Sequence, residues 1–134
     1  MSDDDAPPAD RRAQGLATRR AVLGDAWVDA AEAGKTAFDA PFQALITEAA
    51  WGHVWSRAEL TRRERSLVTV AILAALGRDD ELMLHARACA NTGASADDLR
   101  EALLHVAIYA GVPAANHAFK LVKQVLAERE DDSR

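Results

Sequence analysis

The chain has 134 residues and a mass of 14.4 kDa, enough for one domain that buries most of its apolar surface but with little room to enclose a reaction site unaided. Hydrophobic residues make up 49% of it and aromatic residues only 5%, a balance that favours helix over sheet. Sixteen lysines and arginines against 21 aspartates and glutamates give a net charge of −5 with no basic cluster, so no nucleic-acid partner is expected.

The opening MSDDDAPPADRR is acidic and proline-bearing and does not read as a secretory signal, and no stretch approaches the roughly 20 apolar residues of a membrane span, so no membrane partner is expected. Residues 1–10 read as a flexible tail, 11–129 as the domain and 130–134 as a charged tail. Within the domain, apolar positions recur at three and four residues, and alternating β-branched runs with hairpin turns are missing. This predicts an all-α bundle of six to seven helices, near 11–23, 25–34, 40–55, 61–76, 78–92, 95–110 and 113–129.

Local punctuation supports these cuts. Thr61 with Glu64 and Ser95 with Asp98 have capping-box spacing, Gly77, Gly93 and Gly111 stand where helices stop, and Pro41 and Pro113 suit first turns. In chain order, the first chemical candidates are Arg19 and Arg20, which could hold a carboxylate or simply sit exposed on a helix. Trp51, Gly52 and Trp55 suggest an aromatic patch, either core packing or a pocket wall. The segment 61–76 is apolar almost all round beyond Arg65, which predicts a central or subunit-interface helix and a homo-oligomer.

The most informative stretch is Arg78 to His85. On a helix, Glu81 and His85 are four apart and share a face, with Arg78 a turn before and Cys89 a turn after. Glu81 would orient the imidazole and raise its basicity, as a proton-transferring histidine needs; an ordinary salt bridge on a solvated face fits the same spacing. His85 has no second histidine at ligand spacing, and His53, His105 and His117 lie on other predicted helices, so no metal is expected. Cys89, the single cysteine, excludes an intramolecular disulfide, fits a reducing cytoplasm and reads as buried apolar filler. No glycine-rich phosphate loop is present, and no cofactor is expected. Beyond these, Tyr109 and Asn116 flank a Gly-x-Pro break and place hydrogen-bonding groups beside irregular backbone.

Taken together, the segments RRAVLGDAWVD, FQALITEAAWGHVWSR, RRERSLVTVAILAALGRDDELMLHARACANTG and EALLHVAIYAGVPAANHAF resemble the carboxymuconolactone decarboxylase superfamily from about Gly15 to Leu126. The resemblance implies an alkylhydroperoxidase D-like all-α fold whose subunits associate tightly, as a hexamer or trimer of dimers. It also implies cofactor-independent decarboxylation of a small lactone in protocatechuate catabolism. His85 would be the proton donor or oxyanion partner, oriented by Glu81. Arg65 or Arg87, with Arg19 or Arg20, would hold carboxylates, and Trp51, Tyr109 and Asn116 would line the site. The alkylhydroperoxidase D-like branch looks similar around this helix but carries Cys-x-x-Cys where Arg78 and Glu81 stand here, and thiol–disulfide exchange needs both sulfurs. Trp27 replaces the usual histidine of a GDAHVD segment, and Thr92 replaces an asparagine before Gly93. The alternatives are a decarboxylase or isomerase for a related lactone, and a non-enzymatic helical oligomeric module.

Overall fold

In the computed structural model, residues 8–132 are described, and among them all regular structure is helical. Seven α-helices follow the predicted cuts: α1 (Pro8–Leu23), α2 (Asp25–Ala33), α3 (Ala40–Ile46), α4 (Arg62–Leu76), α5 (Asp79–Thr92), α6 (Ala96–Tyr109) and α7 (Val112–Asp132). The segment expected as one helix over 40–55 changes register instead, because α3 runs straight into a π-helix, Thr47–Trp55. Its i→i+5 bonds widen the turn, but over nine residues its buried Thr47, Trp51 and Trp55 recur every four residues, a spacing an α-helix also allows, so periodicity does not distinguish the two. Both expected tails are shorter than the sequence suggests: α1 begins inside 1–10 and α7 continues through 130–132. The remainder of those tails lies outside the described residues.

The helices gather into two compact units, divided between Thr61 and Arg62. In the N-terminal unit, α1 lies along the π-helix with backbone against backbone. A Cβ on Gly15 would stand 2.1 Å from the Thr47 carbonyl oxygen, and one on Gly52 would stand 2.9 Å from that of Arg11. Only glycine permits that approach. Around the crossing, the Thr18 and Ser56 hydroxyls share a 2.8 Å hydrogen bond, Ser56 donates to the Trp51 carbonyl at 2.6 Å, and Trp51 packs on Trp55 with ring centres 5.2 Å apart.

In the C-terminal unit, α4 to α7 enclose an apolar core. Val70 and Ala74 of α4 meet Leu82 and Ala86 of α5, Leu99 and Leu103 of α6, and Val122 and Val125 of α7. Helix ends here follow local chemistry. The Ser95 hydroxyl accepts from the Asp98 amide at 3.1 Å while the Asp98 carboxylate accepts from the Ser95 amide at 3.0 Å, the reciprocal box that the sequence predicts. Gly93 closes α5 in the left-handed region, its amide donating to the Cys89 carbonyl. Arg63 clamps the same Asp98 through two nitrogens at 2.7 and 2.5 Å and holds its carboxyl well below the usual carboxylate range.

Helix α4 is not the enclosed central helix its composition allowed. Ser66, Val70 and Ala74 turn into the core, but Val68, Ile72 and Leu76 are more than half exposed. On α6 and the start of α7, Leu104, Ile108 and Val112 are likewise open.

Candidate active site

Position on α5 sets the character of His85. Leu82, Ala86 and Cys89 form the stripe that faces the core, and His85 stands beside it, partly sheltered, with its Nδ1 atom buried. Glu81, one turn earlier, is exposed. Burial pushes the His85 imidazole below its ordinary basicity, and the nearby Glu81 carboxylate only partly offsets this. Glu81 raises the basicity as expected, but desolvation is the larger effect and the net shift is downward. At neutral pH, His85 is an uncharged imidazole able to donate and accept hydrogen bonds. Glu81 acts on it through space, by the charge of its carboxylate.

Cys89 is fully buried, its thiol donates to the His85 carbonyl at 3.3 Å, and burial raises its pKa above the ordinary thiol value, so it is filler and no thiolate, as expected. Beside it the hydroxyls of Ser66 and Thr92 share a 2.7 Å hydrogen bond. Arg129 of α7 reaches into the same region and donates to the Ala86 carbonyl at 2.6 Å. That arginine belongs to the charged run near the C-terminus and carried no local signal, because its contact spans 43 residues.

The other sequence candidates divide. Arg65 is half-buried on α4, which packs against α5, with its Nε atom buried. Arg87 faces away from the core and makes a forked pair with Glu128 at 3.0 and 3.3 Å, both about half exposed. Tyr109 is 85% exposed, stacks on His105 and lines an open concavity along α6 with Leu104 and Ile108, while Asn116 is exposed on α7. In the N-terminal unit, Trp51 is buried in the aromatic patch and Arg20 is spread across Asp25 and Asp29 at 3.2 and 2.8 Å. Arg19 is buried and donates to Gln43 at 3.3 Å, and its guanidinium lies 5.5 Å from the centre of the half-exposed Trp27 ring. Among the described residues, no group of three or more His, Cys, Asp or Glu side chains could hold a metal ion, and no helix is long and apolar enough to cross a membrane.

A model of the carboxymuconolactone decarboxylase family matches residues 40–124, which include the π-helix, all of α4 to α6 and most of α7. The chain belongs to that family. Two relatives extend the likeness beyond the match. The 4-carboxymuconolactone decarboxylase of Acinetobacter baylyi is 47% identical over 118 residues, 88% of each chain. The nitrosuccinic acid decarboxylase npaB of Metarhizium robertsii is 38% identical over 118 residues, 88% of this chain and 82% of its own. For a carboxymuconolactone decarboxylase family member, the matched span holds His85, Glu81 and Arg65 together with the core that positions them, whereas Arg19 and Trp27 precede it.

Proposed function

We propose that the chain is a carboxy-lyase that converts 4-carboxymuconolactone to the β-ketoadipate enol-lactone and CO2, with His85 at the reacting centre. Identity of 47% to a 4-carboxymuconolactone decarboxylase supports the substrate, and both named relatives release a carboxyl group. The observation that carries the choice of centre is the partly buried imidazole of His85, kept uncharged by its surroundings with one carboxylate a turn away.

The chemistry explains why such a group suffices. The ring carbon that bears the carboxylate is conjugated through the ring double bond to the lactone carbonyl. As the bond to CO2 breaks, its electron pair moves through that double bond onto the carbonyl oxygen and leaves a dienolate. A proton then adds to the carbon next to the carbonyl, so one proton is consumed per CO2 released. The lactone itself is the electron sink, and no bound cofactor is needed to supply one.

An uncharged imidazole donates a hydrogen bond to the forming oxyanion without the cost of burying a cation in advance. The charge of the bound substrate would then raise its proton affinity, and the imidazole relays a proton from solvent to carbon. Glu81 favours the protonated intermediate of that relay. Arg65, half-buried on the helix that packs against α5, is the anchor we assign to a substrate carboxylate in this unit. The open apolar faces of α4 and α6 support a homo-oligomer, for which we propose the hexamer or trimer of dimers. In that assembly Tyr109 and Asn116 would border a site where copies meet. The setting we propose is the cytoplasm, in protocatechuate degradation.

The test is ultraviolet loss of the lactone generated in situ, with no added cofactor, with and without chelator. Turnover that ignores chelator is expected, and His85→Ala should leave a folded oligomer whose kcat falls at least about a hundredfold. Wild-type turnover in that variant, or chelator-sensitive activity, overturns the reading.

A further inference from the structure

The N-terminal unit holds a charged group that its own partners do not satisfy. Arg19 is 2% exposed, yet among the described residues its buried Nε and Nη1 atoms have no hydrogen-bond partner. Its contacts are the 3.3 Å bond from Nη2 to Gln43 Oε1, a loose approach of Nη1 to Glu32 at 3.9 Å, and the Trp27 ring. Leaving a buried guanidinium so thinly paired is costly.

A cavity of about 160 Å³ opens in the same unit, and two of the three residues that touch Arg19, Gln43 and Glu32, line it. Arg12 and Lys35 stand on its wall with Leu16 and Ala44 as its apolar part. Arginine only donates, so the contact with Arg19 takes the oxygen of the Gln43 amide and leaves its NH2 group to donate elsewhere. Thr47 holds the backbone beneath it by donating to the Gln43 carbonyl at 2.8 Å. Arg12, Arg19 and Lys35 face two carboxylates, Glu48 paired with Arg12 at 2.7 Å and Glu32 paired with Lys35 at 2.8 Å, so one positive charge is left over.

We propose that this cavity is a carboxylate-binding site, in which Lys35 and the Gln43 amide contact the anion and Arg19 acts behind them as a positioning residue and charge reserve. The volume is well below the roughly 300 Å³ of typical ligand clefts, which suits a small organic acid or the carboxylate arm of a larger molecule. The site stands whether or not His85 has the role given above.

Because removing Arg19 from the interior threatens the unit's fold, the test alters the wall. Succinate serves as the probe, read by calorimetry and by thermal melting of the full chain. Succinate should bind the wild type and raise its Tm. Lys35→Met should weaken binding about tenfold or more, the loss of one charge-assisted contact. Gln43→Glu should melt higher than wild type without ligand, because it gives Arg19 a charged partner, and should lose succinate binding. His85→Ala should bind succinate as the wild type does, which separates this site from the proposed reacting centre. If succinate raises the KM for the lactone with kcat unchanged, the carboxylate is the substrate's own; if it binds without competing, the site takes a free acid. No binding to the wild type, undiminished binding to both wall variants, or loss of binding in His85→Ala overturns the proposal.

Discussion

The two units spend their interiors differently. In the N-terminal unit, Arg11 and Arg19 lie inside at 4% and 2% exposure, and helix meets helix through glycine, with the Thr47 carbonyl against Gly15. In the C-terminal unit, the largest fully buried side chains are Leu82, Leu99, Leu103, Val70 and Val125, and the buried Ser66 hydroxyl pairs with that of the half-buried Thr92. A core of the second kind is held by area and volume, and it fixes His85 on a regular helix whose neighbours settle its protonation. An interior of the first kind gives up apolar burial for guanidinium groups, which suits it to hold an anion. The contrast teaches that burial alone does not mark a site: a buried leucine stabilises, while a buried arginine calls for a partner.

That comparison can be broken from either side. The largest effect on stability is expected for Leu103→Ala, which removes a side chain 1% exposed from the second core and should cost about 4 kcal/mol in urea unfolding. Next comes Gly15→Ala. Its new methyl must displace the Thr47 backbone, and a loss of about 3 kcal/mol is expected, against about 1 kcal/mol for Gly77→Ala, where open space surrounds the site and only the φ of +70° is strained. Equal costs for the two alanines would show that the helix crossing gives way more easily than its geometry says. The smallest change is expected for Arg87→Ala, since its pair with Glu128 is half exposed; a shift of about 0.5 kcal/mol or less should be seen. Acid should unsettle the second unit through Asp98. Its carboxyl titrates below the unfolded value, so its contribution is present above about pH 4 and fades as pH falls, and Arg63→Ala should flatten that fall.

Legibility in the sequence tracks the reach of each interaction. The box at Ser95 and Asp98 and the stops at Gly77, Gly93 and Gly111 depend on neighbours within five residues, and they are readable. Glu81 and His85 share a face for the same reason. What was not readable depends on distant packing. Arg19 and Arg20 are adjacent and look alike, yet one is buried and the other spans two surface aspartates. The register change at Thr47 covers only nine residues, whose four-residue recurrence also fits an α-helix. Arg129 meets α5 only through the return of α7, and the exposure of Tyr109 follows from which side of α6 the core takes. For His85 the carboxylate was visible and the desolvation that outweighs it was not, so the direction of its shift could not be foreseen from spacing.

That direction is also where the account is most exposed. The pH dependence of kcat/KM for lactone decarboxylation reports ionisations of the free enzyme. If uncharged His85 is the working group, the profile has an acid limb below about pH 6.5, the ordinary imidazole value, and the limb moves lower still in Glu81→Gln, because the carboxylate is what holds it up. An acid limb at or above the ordinary value, or one that Glu81→Gln leaves in place, would contradict it.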